Sequence, residues 1–245
     1  MSPRITLRTA GRVLRQLRHD PRTVALMLGV PVLLITLLRF VFDARPETFD
    51  RIGLMMLGII PFMTMFLVTS VAMLRERTTG TLERLLTTPM NKLDLLVGYG
   101  IAFAVAAAAQ SAVTSATAYG LLGLDTGASP LLVGVIAIAT AILGMAIGLL
   151  TSAFASSEFQ AVQFMPLVVM PQTILCGLIT PREAMADWLR VISDLMPLTY
   201  AVEALTDASE HGGATDLMWR DVGIILAAAT AALCFGALTL RRRSS

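Results

Sequence analysis

Lysine occurs once in this 245-residue chain, at Lys92, beside eighteen arginines. It follows Thr88-Pro89-Met90-Asn91, so the Gly-x-x-x-x-Gly-Lys-Ser/Thr cradle for nucleotide phosphates is missing and the chain does not hold ATP in that way. Histidine is scarce too, with only His19 and His211, and neither His-Glu-x-x-His nor Cys-x-x-Cys occurs. A hydrolase or metal enzyme would need ligands that are not present, so no catalytic residue and no metal site are expected. The two cysteines, Cys176 and Cys234, fall in apolar stretches and read as small buried hydrophobes rather than a disulfide pair. Charged residues make up 15% of the chain, against about 25% in a soluble domain.

What is abundant is apolar: 56% of residues are hydrophobic and the mean hydropathy is +0.74. A soluble protein of this size cannot hide that much apolar surface, so lipid is the natural solvent. Crossing about 30 Å of hydrocarbon takes roughly 20 helical residues. Six stretches qualify, near 24–42, 52–74, 95–122, 131–154, 161–180 and 222–240. The fifth contains Pro166 and Pro171, which predict a kink or a broken helix. The reading is an all-α membrane protein of one domain, 1–245.

Six spans put both termini on one side, and the distribution of basic residues identifies it. The N-terminal segment, the loop after the second span and the C-terminal tail carry thirteen basic residues, and the opposite side carries six. Acidic residues run the other way, twelve against five. Both termini are therefore expected in the cytoplasm, in a bacterial inner membrane. The basic start is too long for a signal peptide, and the N-terminus is expected to be retained. Within residues 1–23, Arg4 to Arg22 fall in one helical arc and Leu7, Ala10, Val13, Leu14 and Leu17 in the opposite one. Such a helix is expected to lie flat at the membrane surface.

Residues 181–221 form a long external connection. Pro181 opens it, Trp188, Leu189, Ile192 and Leu195 recur at helical spacing, and Pro197 starts a second short helix through Tyr200. Two short re-entrant helices dipping into the outer leaflet are expected. On the cytoplasmic side, Leu82, Leu85 and Leu86 share one face of a short helix beside Glu83 and Arg84, with Thr79 or Thr81 as its cap and Pro89 as its end. A short helix with an apolar stripe and flanking charges suits docking into a groove on another protein.

At these residues the chain resembles a known family. Glu76-x-x-x-Gly80-Thr81-Leu82-Glu83-x-Leu85-x-x-x-Pro89 is similar to the signature of type-2 ABC export permeases, the group that includes daunorubicin-resistance-like drug exporters. Met170-Pro171, Cys176 to Glu183, Trp188-Leu189 and Met196 to Leu205 resemble the family's fifth span and the external helices after it. Arg18-His19-Asp20-Pro21-Arg22 before the first span is a weaker match. In the external segment Thr180 and Ala186 depart from the family's pattern, which usually has an aromatic before Pro181 and a second proline near 186. The resemblance implies that residues 79–89 are a coupling helix seated in a separate ABC ATPase. Its site residues would be Glu76, Gly80, Thr81, Leu82, Glu83, Leu85, Leu86 and Pro89, with Glu76 and Glu83 as polar contacts. It further implies two ATPase copies, which carry the ATP and Mg, and a second permease copy or a related permease.

No span carries a midplane Asp, Glu, Lys or Arg. Ion-coupled carriers need such groups, so an external energy source and a lipophilic or amphipathic cargo (drug, antibiotic or lipid-like molecule) are expected. Gln110, Thr114 and Thr117 of the third span and Gln163, Met165, Gln172 and Thr173 of the fifth are candidates for a translocation path; interhelical hydrogen bonding explains the polar ones equally well. Gly144-x-x-x-Gly148 permits a close helix approach. The partners expected are the ATPase, the second permease, the bilayer and a lipophilic substrate, with no nucleic acid. Polysaccharide or glycolipid export, or a non-transporting membrane sensor or scaffold that docks an ATPase, are the alternatives.

Overall fold

The computed structural model describes residues 3–79 and 92–239. These form nine α-helices and one 3-10 turn, with no strand among the described residues. The order is α1 (Pro3–Arg18), α2 (Pro21–Val41), α3 (Pro46–Thr78), α4 (Lys92–Gly120), α5 (Pro130–Ser152), α6 (Glu158–Leu175), the turn Arg182–Ala184, α7 (Asp187–Asp194), α8 (Pro197–His211) and α9 (Asp216–Thr239). Proline occupies the first turn of α2, α3, α5 and α8, where the missing N–H costs nothing. Five helices are long and apolar enough to span a membrane: α2, α3, α4, α5 and α9. The chain is an all-α membrane protein.

The fifth expected span differs in shape from its expectation. Helix α6 begins earlier, with the Ser157 hydroxyl accepting from Gln160 N at 3.2 Å, and runs unbroken through Pro166 and Pro171 to Leu175. The break falls after the prolines, in the bends of residues 176–180. At 18 residues and with Gln160, Gln163 and Gln172 inside it, α6 falls short of the length and hydropathy of the other five.

Helix α3 is the axis of the bundle. It has 33 residues, about 50 Å at the α-helical rise, so it outruns a hydrocarbon core at both ends. Its long contact is with α5. A Cβ on Gly144 would run into the Phe62 carbonyl, and one on Gly148 into the Phe66 backbone and the Thr69 hydroxyl. The Gly-x-x-x-Gly stripe is thus used inside the chain, against α3. Thr69 Oγ1 donates to Met65 O at 2.5 Å, which satisfies the one hydroxyl at this close crossing. Phe62, Phe66, Ile136, Leu143 and Ala146 complete a fully buried seam.

The two short helices after α6 part company. Leu198, Ala201, Ala204, Leu205 and Ala208 of α8 are buried, and Leu205 lies against Gly58 of α3. Helix α8 therefore packs on the core, against α3. Helix α7 does lie at the periphery, with Trp188, Val191 and Leu195 more than three-fifths exposed. The turn, α7 and α8 are stapled together: Arg182 pairs with both Asp194 and Glu203, Tyr200 OH donates to Asp194 O at 2.7 Å, and Ser193 Oγ donates to Leu175 O at 2.8 Å.

Helix α1 forms as expected but packs on the protein. Thr6, Thr9, Ala10 and Val13 are buried, and Thr9 sits so close to Gly98 of α4 that a Cβ there would approach its Cβ to 2.7 Å. Leu7, expected in the apolar arc, is 63% exposed. Of the two cysteines, Cys176 is buried and Cys234 is exposed on α9, contrary to the expectation that both are buried.

The α3–α5 seam carries a direct test. Gly148→Val is expected to cost about 1–3 kcal/mol through overpacking against the α3 backbone. Gly134→Val, on the same helix with open space around its Cα, serves as control. Thermal unfolding of the detergent-purified variants should show a lowered midpoint for the first only; equal midpoints would exclude the close crossing.

Candidate functional site

The last turn of α3 sends its three charged side chains to three different helices. Arg75 makes two parallel hydrogen bonds to Glu158 of α6, at 2.7 and 3.0 Å. Accepting them holds the Glu158 carboxyl below the usual carboxylate range, so the pair persists as pH falls until that lowered value is crossed. Arg77 Nη1 donates to Ser152 O at 2.5 Å, covering an open carbonyl at the C-terminus of α5. Glu76 is buried and meets Arg12 of α1 at 3.1 Å, beside Tyr99 of α4. Thr78 and Thr79 fold back onto Arg75 O at 3.2 and 2.8 Å, closing the helix. One turn therefore joins α1, α4, α5 and α6 just before the chain enters residues 80–91.

Of the expected docking residues, Glu76 is the one described. It faces the protein interior, toward Arg12. Gly80, Thr81, Leu82, Glu83, Leu85, Leu86 and Pro89 lie outside the described residues. The helices that bound the segment end at Thr78 and begin at Lys92.

Above this turn lies a cleft of about 640 Å³ between α2 and the α3–α4 face, within the usual range of small-molecule sites. Its long walls are apolar, with Leu26, Val30 and Leu34 of α2 facing Ile60, Met63 and Leu67 of α3. Its inner end is polar, formed by Gln16, Asp20, Thr23, Arg75 and Glu76, with Tyr99 beside them. Asp20 caps α2, accepting from Thr23 Oγ1 at 2.6 Å and Thr23 N at 3.2 Å. These bonds, the hydroxyl's first, hold its carboxyl below the ordinary value.

The expected path residues do not converge here. Met165 of α6 lines the cleft. Gln110 is fully buried behind its wall and donates from Nε2 to Thr64 Oγ1 at 3.3 Å, an interhelical bond. Thr114 and Thr117 bond back to Gln110 O and Val113 O, each at 2.9 Å. Gln172 is buried and donates to Val168 O at 3.0 Å, Thr173 to Val169 O at 3.0 Å, and Gln163 is exposed. At the far end, Pro181 precedes the 3-10 turn, Trp188 is exposed on α7 and Pro197 opens α8. Sequence reasoning missed Gln16, Thr23 and Tyr99 as site residues and quoted Asp20 only as part of a motif. The signal available was the Asp-Pro cap at the start of the first span, which fixes a carboxylate at the membrane boundary. No group of three metal-ligating side chains occurs among the described residues.

Comparison with known proteins agrees with this architecture. The profile of the family described as ABC-2 type transporter matches residues 6–208. The chain is 23% identical over 171 residues to the probable multidrug ABC transporter permease YbhR of Escherichia coli (strain K12), covering 70% of the chain and 46% of that protein. It is 25% identical over 168 residues to the linearmycin resistance permease protein LnrN of Bacillus subtilis (strain 168), covering 69% and 43%. It is 26% identical over 215 residues to the inner membrane transport permease YhhJ of Escherichia coli (strain K12), covering 86% and 56%. The chain spans about half the length of these relatives. With a profile match over most of its length and an all-helical membrane fold, the chain belongs to the ABC-2 type transporter family.

Proposed function

We propose that this chain is the membrane-spanning subunit of an ATP-driven exporter that moves lipophilic or amphipathic molecules out of the cytoplasm. The observation that carries this reading is the cleft: apolar along its length, polar at one end, and bordered by the turn of α3 that leads into residues 80–91. An apolar wall with a polar end suits a drug, an antibiotic or a lipid-like molecule, and the names of the relatives, multidrug and linearmycin resistance permeases, point the same way. ATP, with its Mg, is bound and hydrolysed on a separate ABC ATPase, two copies of which serve two permeases, identical or related. The setting is a bacterial cytoplasmic membrane with both termini inside.

The segment at about 79–89 docks the ATPase through Leu82, Leu85 and Leu86, and Glu83 adds a polar contact. Glu76 works from within. Buried against Arg12, it passes displacement of the segment to α1 and to the cleft end formed by α1 and α2. For ATP to drive this, its binding must favour one arrangement of these helices over the other.

Docking and transmission are separable by experiment. Leu82→Asp and Glu83→Arg are expected to release the ATPase on co-purification while the permease still inserts. Glu76→Gln is expected to keep the ATPase bound but to lose at least about tenfold in substrate-stimulated ATP hydrolysis by the reconstituted complex, about 1.4 kcal/mol in coupling. Retention of both activities in all three variants would refute the docking assignment. Orientation is read by single cysteines in a cysteine-free background: Glu210→Cys should react with an impermeant maleimide from outside intact cells, and Ser244→Cys only after lysis.

A further inference from the structure

Three charged side chains line the inner end of the cleft among the described residues: Asp20, Arg75 and Glu76. Arg75 is already engaged by both oxygens of Glu158, which is not part of the cleft wall. Glu76 meets Arg12 through Oε1 alone; its Oε2 is buried without a hydrogen-bond partner. Asp20 is bonded within its own cap, chiefly by Thr23, is in no direct ion pair with a described residue, and feels Arg75 only at longer range. A molecule entering the cleft therefore meets two carboxylates with unused acceptor capacity and one guanidinium whose hydrogen bonds go to Glu158. Beside Glu76 stands Tyr99, whose ring, like any aromatic face, attracts cations.

Beyond the charged end, the α3 wall is apolar from Ala72 back to Ile60, apart from Thr64. Those thirteen residues span about 18 Å of helix, close to the roughly 15 Å depth of one hydrocarbon leaflet. The site thus has the dimensions of one leaflet-length apolar tail with a head at the basic end of the bundle. An anionic head would face two carboxylates and compete with Glu158 for Arg75. A neutral head would bring no charge to balance Asp20. A cation with N–H donors supplies what the buried Glu76 oxygen lacks.

We propose that the cleft takes a cationic amphiphile whose positive head is held by Asp20 and Glu76 and whose apolar body lies along α2 and α3. This rests on the reading of the cleft as the substrate site and adds the charge of the substrate to it. Asp20 is the specificity-determining residue that can be tested cleanly, because Asn caps a helix as well as Asp does but carries no charge.

The experiment uses the full chain in phosphatidylcholine nanodiscs and three dansyl-labelled dodecyl probes ending in a primary ammonium, a hydroxyl or a sulfate, with empty nanodiscs subtracted. The ammonium probe is expected to bind about tenfold tighter than the hydroxyl probe, and the sulfate probe more weakly than either. Asp20→Asn should reduce the ammonium preference to about threefold or less while leaving helicity unchanged. Ammonium and hydroxyl probes binding alike, or a preference unchanged in Asp20→Asn, would overturn the head-group assignment and leave the cleft as substrate site. Failure of all three probes to bind above background, or binding unaffected by Met63→Trp, which fills the cleft, would overturn the cleft reading and this proposal with it.

Discussion

At two points α5 approaches α3 more closely than any side chain would allow, and the rest of the bundle is arranged around that approach. Gly144 and Gly148 present no Cβ to the carbonyl of Phe62 and the backbone of Phe66. In a bilayer there is little hydrophobic drive between helices, so such backbone-level contact and the dispersion it brings are the main source of association. Within the bundle, two-thirds of the apolar window of α3 and three-fifths of that of α5 are buried. With α3 fixed as an axis, α8 seats on Gly58, α4 reaches across through Gln110 to Thr64, and the last turn of α3 ties four neighbours together. That last turn also adjoins residues 80–91, so this closely packed pair ends beside the segment proposed to receive mechanical work.

What the sequence made legible was what depends on composition and period. Runs of apolar residues located the five strong spans, because a helix in lipid needs little beyond length and hydropathy. Pro197 reads as the start of a short helix, and α8 begins there. The failures share one cause, which is that periodicity states that a face is apolar but not what covers it. The face of α1 centred on Ala10 and Val13 packs against Gly98 of α4, a partner that period alone does not name. The apolar residues of α8 pack on α3, with Leu205 opposite Gly58. Glu76 reads as a polar contact for the ATPase, and its ion pair with Arg12, 64 positions away in the chain, is not legible in the sequence. The cleft was invisible for the same reason, being assembled from α1, α2, α3, α4 and α6.

The wall of that cleft most able to move is α2. Only 17% of its apolar window is buried, the lowest share of the five spans, and Leu26, Leu33 and Leu37 are more than half exposed. It buries Met27, Pro31 and Ile35 along one face and is tied at both ends. At the far end Arg39 donates to Leu122 O and Asp43, each at 3.2 Å, and its guanidinium lies 5.6 Å from the centre of the Phe49 ring. At the inner end Asp20 closes the cap, next to α1. A helix anchored at both ends and sparsely packed between them has little apolar burial to lose when its middle shifts, whereas α5 cannot leave α3 without exposing its glycine stripe. The volume of the cleft is therefore set by α2, and α2 begins two residues after α1, the helix that Glu76 holds. In the proposed coupling, displacement of residues 80–91 would pass through Glu76 to Arg12 and along α1 to Asp20, a route that runs beside the α3–α5 seam.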